Sequence, residues 1–192
     1  MGLLKNAFKK ELNKTVNKTV CTFFNGQVKN QQPQERPAES VIREKQKLAE
    51  DIRVQARFQA QQYLKIVNDC ATLVNTTVNP DEFFKRYHLM LENLESLAGL
   101  ECTGIFDNSP ELPSDTFLRV EAQFDAATID FLDRSFDNAK AKADTLKTEK
   151  GKLNSINRYF DDMENFIIYM NGEGLEYLDK LKEIYTIPTK GE

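Results

Sequence analysis

Tryptophan is absent from these 192 residues, histidine occurs once, and cysteine occurs three times. The lone His88 narrows the chemistry sharply. Zinc sites need clustered Cys and His, and a bundle di-iron site needs Glu-x-x-His twice. A Ser-His-Asp arrangement needs a nucleophile motif such as GxSxG, and none occurs. His88 and Glu92, four apart on one helix, amount to half a metal site at most, so His88 is expected at a surface or boundary beside a carboxylate. No metal or other cofactor is expected. Cys21, Cys70 and Cys102 form no CxxC pair, and their odd number argues for thiols in a reducing compartment. Cys70, in an apolar helical run, reads as a small core residue. Neither GxGxxG nor GxxxxGK[ST] is found, which removes the familiar phosphate-cradling loops. A membrane span is not expected, because no run of 18 apolar residues exists. The N-terminus lacks the apolar centre of a signal peptide, and Asn6 stands where myristoylation wants Ser or Thr.

What the chain does contain is helical pattern. Hydrophobic residues make up 40% and charged residues 29%, as in a globular protein. Leu153, Ile156, Phe160, Met163, Ile167 and Met170 recur at spacings of three and four, which predicts one helical seam buried against other helices. A long helix is predicted to begin near Pro37 to Ser40 and to run to about Asn75, carrying Leu48, Ile52, Ala56, Tyr63, Ile66, Val67, Cys70, Leu73 and Val74. Asn79, Pro80, Asp81 and Glu82 then make the clearest helix start, with a capping box at Glu82. Phe83, Tyr87, Met90, Leu91, Leu94 and Leu97 form that helix's apolar face, and Gly99 ends it.

Residues 99–113 form a connection longer than most bundles use, yet Leu100, Ile105 and Phe106 argue that it packs across the bundle's end. Ser114 is read as the cap of the following helix. That helix carries Phe117, Leu118, Val120, Phe124, Ala127, Ile129, Phe131, Leu132, Phe136, Ala139, Ala143 and Leu146 on a broad buried side and breaks at Gly151. After the stop at Asn171 to Gly174, a last helix carries Leu175, Leu178, Leu181, Ile184 and Tyr185, unless the central seam runs on into it with a kink. Glu121, Asp125, Asp130, Asp133 and Asp137, and Asp161, Asp162 and Glu164, alternate with buried positions as a solvated face does. Asp107 to Glu111 lacks EF-hand spacing.

The N-terminal segment differs from all this. Leu4, Phe8, Leu12 and Val16 recur every four residues, with Lys5, Lys9, Lys10, Lys14 and Lys18 around them. That is a basic amphipathic helix over 1–24, read as docked on the bundle, laid on an anionic membrane or partner groove, or disordered. Residues 25–39 form a polar Pro/Gln linker, and 40–187 form the bundle. Six lysines against one glutamate give residues 1–30 a charge of +5, which leaves −9 for the remainder of a chain whose net charge is −4. A basic arm on an acidic body suits an anionic partner, while the acidic body disfavours nucleic acid.

The runs FFKRYHLMLENLESL, LPSDTF, FLDRSFDNAKAKADTLKTEKGKLNSINRYFDDMENF and GLEYLDKLKE, within residues 79–182, resemble uncharacterised all-helical cytoplasmic proteins of Gram-positive bacteria and their mobile elements. The resemblance implies a bacterial or phage cytoplasmic helical domain and carries over no site residues. The expectation is therefore an all-α protein, an antiparallel bundle of four or five helices with a separate N-terminal helix. Its role would be a non-enzymatic interaction or scaffold function through residues Leu4 to Lys18. The rival from another class is an enzyme or metal protein using the carboxylates and His88. Self-assembly through residues 40–62 is a third reading.

Overall fold

A computed structural model of the chain describes residues 39–186. The amphipathic helix, nearly all of the linker, and Leu4, Lys5, Phe8, Lys9, Lys10, Leu12, Lys14, Val16 and Lys18 lie outside the described residues. Among the described residues every regular element is helical and none is a strand. The described residues form six α-helices: α1 (Glu39–Thr76), α2 (Pro80–Ala98), α3 (Pro113–Ala122), α4 (Phe124–Asp144), α5 (Glu149–Glu164) and α6 (Gly172–Thr186). The all-α expectation holds at this level.

The helix boundaries follow from local chemistry. At the start of α2, Asn79 Oδ1 accepts the Asp81 N–H at 3.1 Å, as an N-cap does. The capping box does not form, because the Asn79 N–H is taken by Thr77 Oγ1 and Glu82 turns to Arg86. Ser114 is not the cap of α3 but lies inside it, after Pro113.

The single helix expected after Ser114 is two, interrupted at Gln123. The Tyr87 hydroxyl donates to the Val120 carbonyl at 2.5 Å, and in an unbroken helix that carbonyl belongs to the Phe124 N–H. Gly151 is not the break before α5. Thr148, with extended backbone, caps α5 by accepting the Gly151 N–H at 3.1 Å. The seam expected over 153–170 is also divided. α5 stops at Glu164, a 3-10 turn covers Ile167–Tyr169, and Met170 is extended. Ile156, Phe160, Met163 and Met170 are buried, whereas Leu153 and Ile167 face outward. Leu48, Ile66, Leu118, Leu146 and Ile184 are likewise exposed rather than buried.

The chain forms two compact units. The first, among the described residues, takes in 39–67 and Glu92–Leu118, with Ala56, Ala60, Asn93, Leu94, Leu97, Leu100 and Thr103 buried. Its connection after α2 is ordered by short bonds. The Thr103 hydroxyl donates to the Leu100 carbonyl at 2.6 Å, and Gly104 takes a left-handed φ of 72°. Glu101 Oε1 accepts the Ser114 N–H at 2.6 Å, which satisfies an unpaired donor at the start of α3 with a carboxylate.

The second unit takes in Asn68–Leu91 and 119–186, and its core is aromatic. Phe83 and Phe131, both without exposed surface, stack with centroids 4.4 Å apart. Phe84 meets Phe83 edge-on and stacks on Phe166 and Tyr169. Phe136 gathers Tyr159, Phe160 and Tyr185 on the same core. α4 packs on both α5 and α6, which also touch each other. The approach of α6 to α4 needs glycine, because a Cβ at Gly174 would lie 2.9 Å from Thr128 Cγ2.

Phe83→Ala should cost about 3–5 kcal/mol, the range for emptying a buried aromatic site, while Ile168→Ala, at a residue 81% exposed, should stay within about 0.5 kcal/mol. Urea denaturation of the two variants checks this, and equal losses would contradict the assignment of the core.

Candidate functional site

In the second unit, three consecutive exposed apolar residues lie where α5 gives way to the 3-10 turn. Burying Phe84 under Phe166 and Tyr169 fixes the turn's inner side. Consecutive apolar residues in so tight a turn cannot all point inward, so Ile167, Ile168 and Tyr169 stay 36%, 81% and 45% exposed. His88, exposed on α2, completes the surface. Its ring lies 6.1 Å from Phe124 and 6.3 Å from Tyr169. The imidazole is thus set among carbon rings. What the surface offers is contact area with one polar handle.

The carboxylates arrange themselves otherwise. Glu121, Asp130, Asp133, Asp137, Asp161, Asp162 and Glu164 are exposed, as a solvated face requires. Asp125 departs from that pattern: it is half-buried against Gly172 at the start of α6, and its Oδ1 is buried with no hydrogen-bond partner. The Tyr177 hydroxyl donates to Asp133, and Lys182 Nζ reaches Glu164 at 2.6 Å. Among the described residues, no three of His, Cys, Asp and Glu converge as a cation cage.

Two cysteines fall within the described residues, and they differ. Cys70 is buried with a free thiol. Burial pushes that thiol up, against a weaker downward pull from Arg86, which keeps it protonated and inert. Cys102, on the 3-10 turn Glu101–Thr103, is disulfide-bonded.

Buried hydroxyls complete the chemistry of the second unit. The Ser135 hydroxyl donates to the Leu132 carbonyl at 3.1 Å and stands 2.8 Å from the Tyr159 hydroxyl. Burial raises Tyr159 to about 12, with Ser135 opposing, and burial alone raises Tyr87 to about 12. Tyr177 also rises to about 12, chiefly because the hydrogen bond to Asp133 requires its proton.

No protein-family model, curated protein or solved structure matches the chain. No helix among the described residues is long and apolar enough to cross a membrane. Of the residues singled out in the sequence, His88 lies on the outward aromatic surface, while those of the basic segment fall outside the described residues. The turn at Ile167 to Tyr169 was missed, because Ile167 fitted the seam spacing. The signal that could have found it is the pair Ile168-Tyr169, which no a/d pattern accommodates.

The tyrosines carry a pH dependence whose sign is fixed. A phenol whose folded pKa lies above its unfolded value stabilises the fold below about pH 10, and that contribution is lost as pH rises through about 12. Stability measured by chemical denaturation should therefore hold to about pH 10 and fall steeply above it. Tyr159→Phe should flatten the fall, at a cost of about 1 kcal/mol at neutral pH for the lost hydroxyl contacts. An unchanged alkaline profile in that variant would contradict the burial assigned to Tyr159.

Proposed function

We propose that the protein is a non-enzymatic interaction protein whose basic N-terminal segment engages an anionic membrane surface. The observation that carries this reading is the charge division: +5 over residues 1–30 against −9 over the rest. Each lysine near an anionic bilayer contributes about 1 kcal/mol, so five on one amphipathic segment exceed what thermal motion undoes. Leu4, Phe8, Leu12 and Val16 supply the apolar face, and Lys5, Lys9, Lys10, Lys14 and Lys18 the charge. Residues 25–39 separate this segment from an antiparallel helical bundle, which acts as the scaffold. On this reading the protein is cytoplasmic and peripheral to the membrane. The resemblance noted above adds a bacterial or phage setting.

The aromatic surface around Tyr169 supports an interaction role over a catalytic one, since it presents contact area without a reactive pair. Stoichiometric iron, manganese or zinc in the purified protein, lost on His88→Ala, would overturn the non-enzymatic reading.

Co-sedimentation with phosphatidylserine vesicles tests the proposal. The full chain should pellet with the vesicles and release as salt rises, whereas a chain beginning at Ala38 should stay in the supernatant. Equal binding by both would end the membrane reading, and capture of the full chain by an acidic protein alone would replace it.

A second reading, self-assembly through residues 40–62, is favoured by exposed apolar side chains on the first half of α1: Val41, Ile42, Leu48, Val54 and Phe58, the last 62% exposed. Light scattering on the chain beginning at Ala38 should then give a dimer or larger species that Leu48→Ser and Phe58→Ser shift to monomer. A monomer at every concentration would exclude this assembly.

A further inference from the structure

We infer that α1 pairs with the same helix of a second copy of the chain, antiparallel and in one register. Phe58 meets its counterpart at the two-fold axis, and Asp51 of each copy stands opposite Lys65 of the other. Such pairing presupposes the self-assembly reading above, and adds which face is used, which way the helices run and what aligns them.

Ala56 and Ala60, both 4% exposed, mark the side of α1 that is turned to its own core. Val54 and Phe58 each stand two residues from Ala56, about 200° around the helix, and so lie on its far side. Val54 is 54% exposed and Phe58 more so, and at a separation of four residues their side chains adjoin. Asp51, Gln62 and Lys65 extend the same stripe, which runs from 51 to 65 at spacings of three, four, four and three. All five residues are exposed, and all belong to the first unit. An apolar pair at the middle of a stripe, with opposite charges at its two ends, is the arrangement of a helix-pairing seam. There the apolar side chains give the contact and the charges set the orientation.

Charge also selects the occupant. The stripe is acidic at Asp51 and basic at Lys65, each seven residues from Phe58. Two copies laid parallel would set Asp51 on Asp51 and Lys65 on Lys65, and like charges would oppose the contact. Turned antiparallel about Phe58, residues equally distant from it stand opposite one another. Asp51 then faces Lys65 twice, about 10 Å either side of the axis. The same turn sets Val54 against the stem of Gln62. It also places Gln59, Tyr63 and Ile66 opposite Arg57, Arg53 and Glu50, so no like charges meet among them. Neither Asp51 nor Lys65 takes part in an ion pair among the described residues. The stripe is therefore its own complement, which is what a two-fold interface between identical chains requires.

Sedimentation equilibrium of the full-length chain at low ionic strength provides the test, and should show a dimer in reversible exchange with monomer. Asp51→Lys and Lys65→Asp each set like charges opposite one another at two places. Either should raise the dimer dissociation constant about tenfold or more. Combined in one chain, the two changes put opposite charges face to face again, and the constant should return to within about threefold of the unsubstituted chain. A parallel pairing gives no such recovery, and neither does a loss of folding. Single variants that dimerise like the unsubstituted chain, or a double variant no tighter than the singles, would overturn the antiparallel seam. If Phe58→Ser still yields monomer in that case, self-assembly through residues 40–62 stands without it. An unsubstituted chain that is monomeric at every concentration would end both.

Discussion

The stacking of Phe83 on Phe131 is the contact on which the second unit depends. The chain has no tryptophan, and in the second unit the buried rings of Phe83, Phe84, Tyr87, Phe131, Phe136, Tyr159 and Phe160 fill the space between the helices. Phe83, Phe84 and Tyr87 occupy one turn of α2, and each meets a different ring on another element. Aromatic pairs in such offset and edge-on arrangements add about 0.5–1.5 kcal/mol beyond the area they bury. They also have preferred geometries, which fix how the helices that carry them are placed.

That constraint explains the departures from simple helical periodicity. Phe124 packs edge-on to Tyr87, and the Tyr87 hydroxyl takes the Val120 carbonyl, so the chain breaks at Gln123 instead of continuing as one long helix. Phe166 and Tyr169, just before and within the 3-10 turn that follows α5, both stack on Phe84. Hydroxyls drawn into the core find partners: Ser135 and Tyr159 share the Leu132 carbonyl. The same packing pushes Ile168 outward and makes the surface on which His88 sits.

Much of this was legible in advance, for identifiable reasons. The start and end of α2 were readable because Asn79, Pro80, Asp81 and Gly99 act through local backbone chemistry that needs no partner. α1 was readable because its apolar spacing continues through Val74. The interruptions were not legible, since they come from tertiary contacts, such as the reach of Tyr87 to a carbonyl 33 residues away. Exposed Leu48, Leu118 and Ile184 were misplaced because spacing assigns a face without saying whether anything covers it. Of the functional proposal, the charge division and the arm's amphipathic pattern are sequence features. The disulfide at Cys102 was not legible, because three cysteines without a motif name no pairing.

Native-state hydrogen exchange tests most directly the claim that the aromatic core holds the second unit together. The amides of Phe131, Leu132 and Phe136 on α4, with Phe160 on α5, should exchange only through global unfolding, while those of Val41 to Leu48 on α1 exchange by local opening. Exchange from Phe131 and Phe160 as fast as from the first turns of α1 would contradict the account.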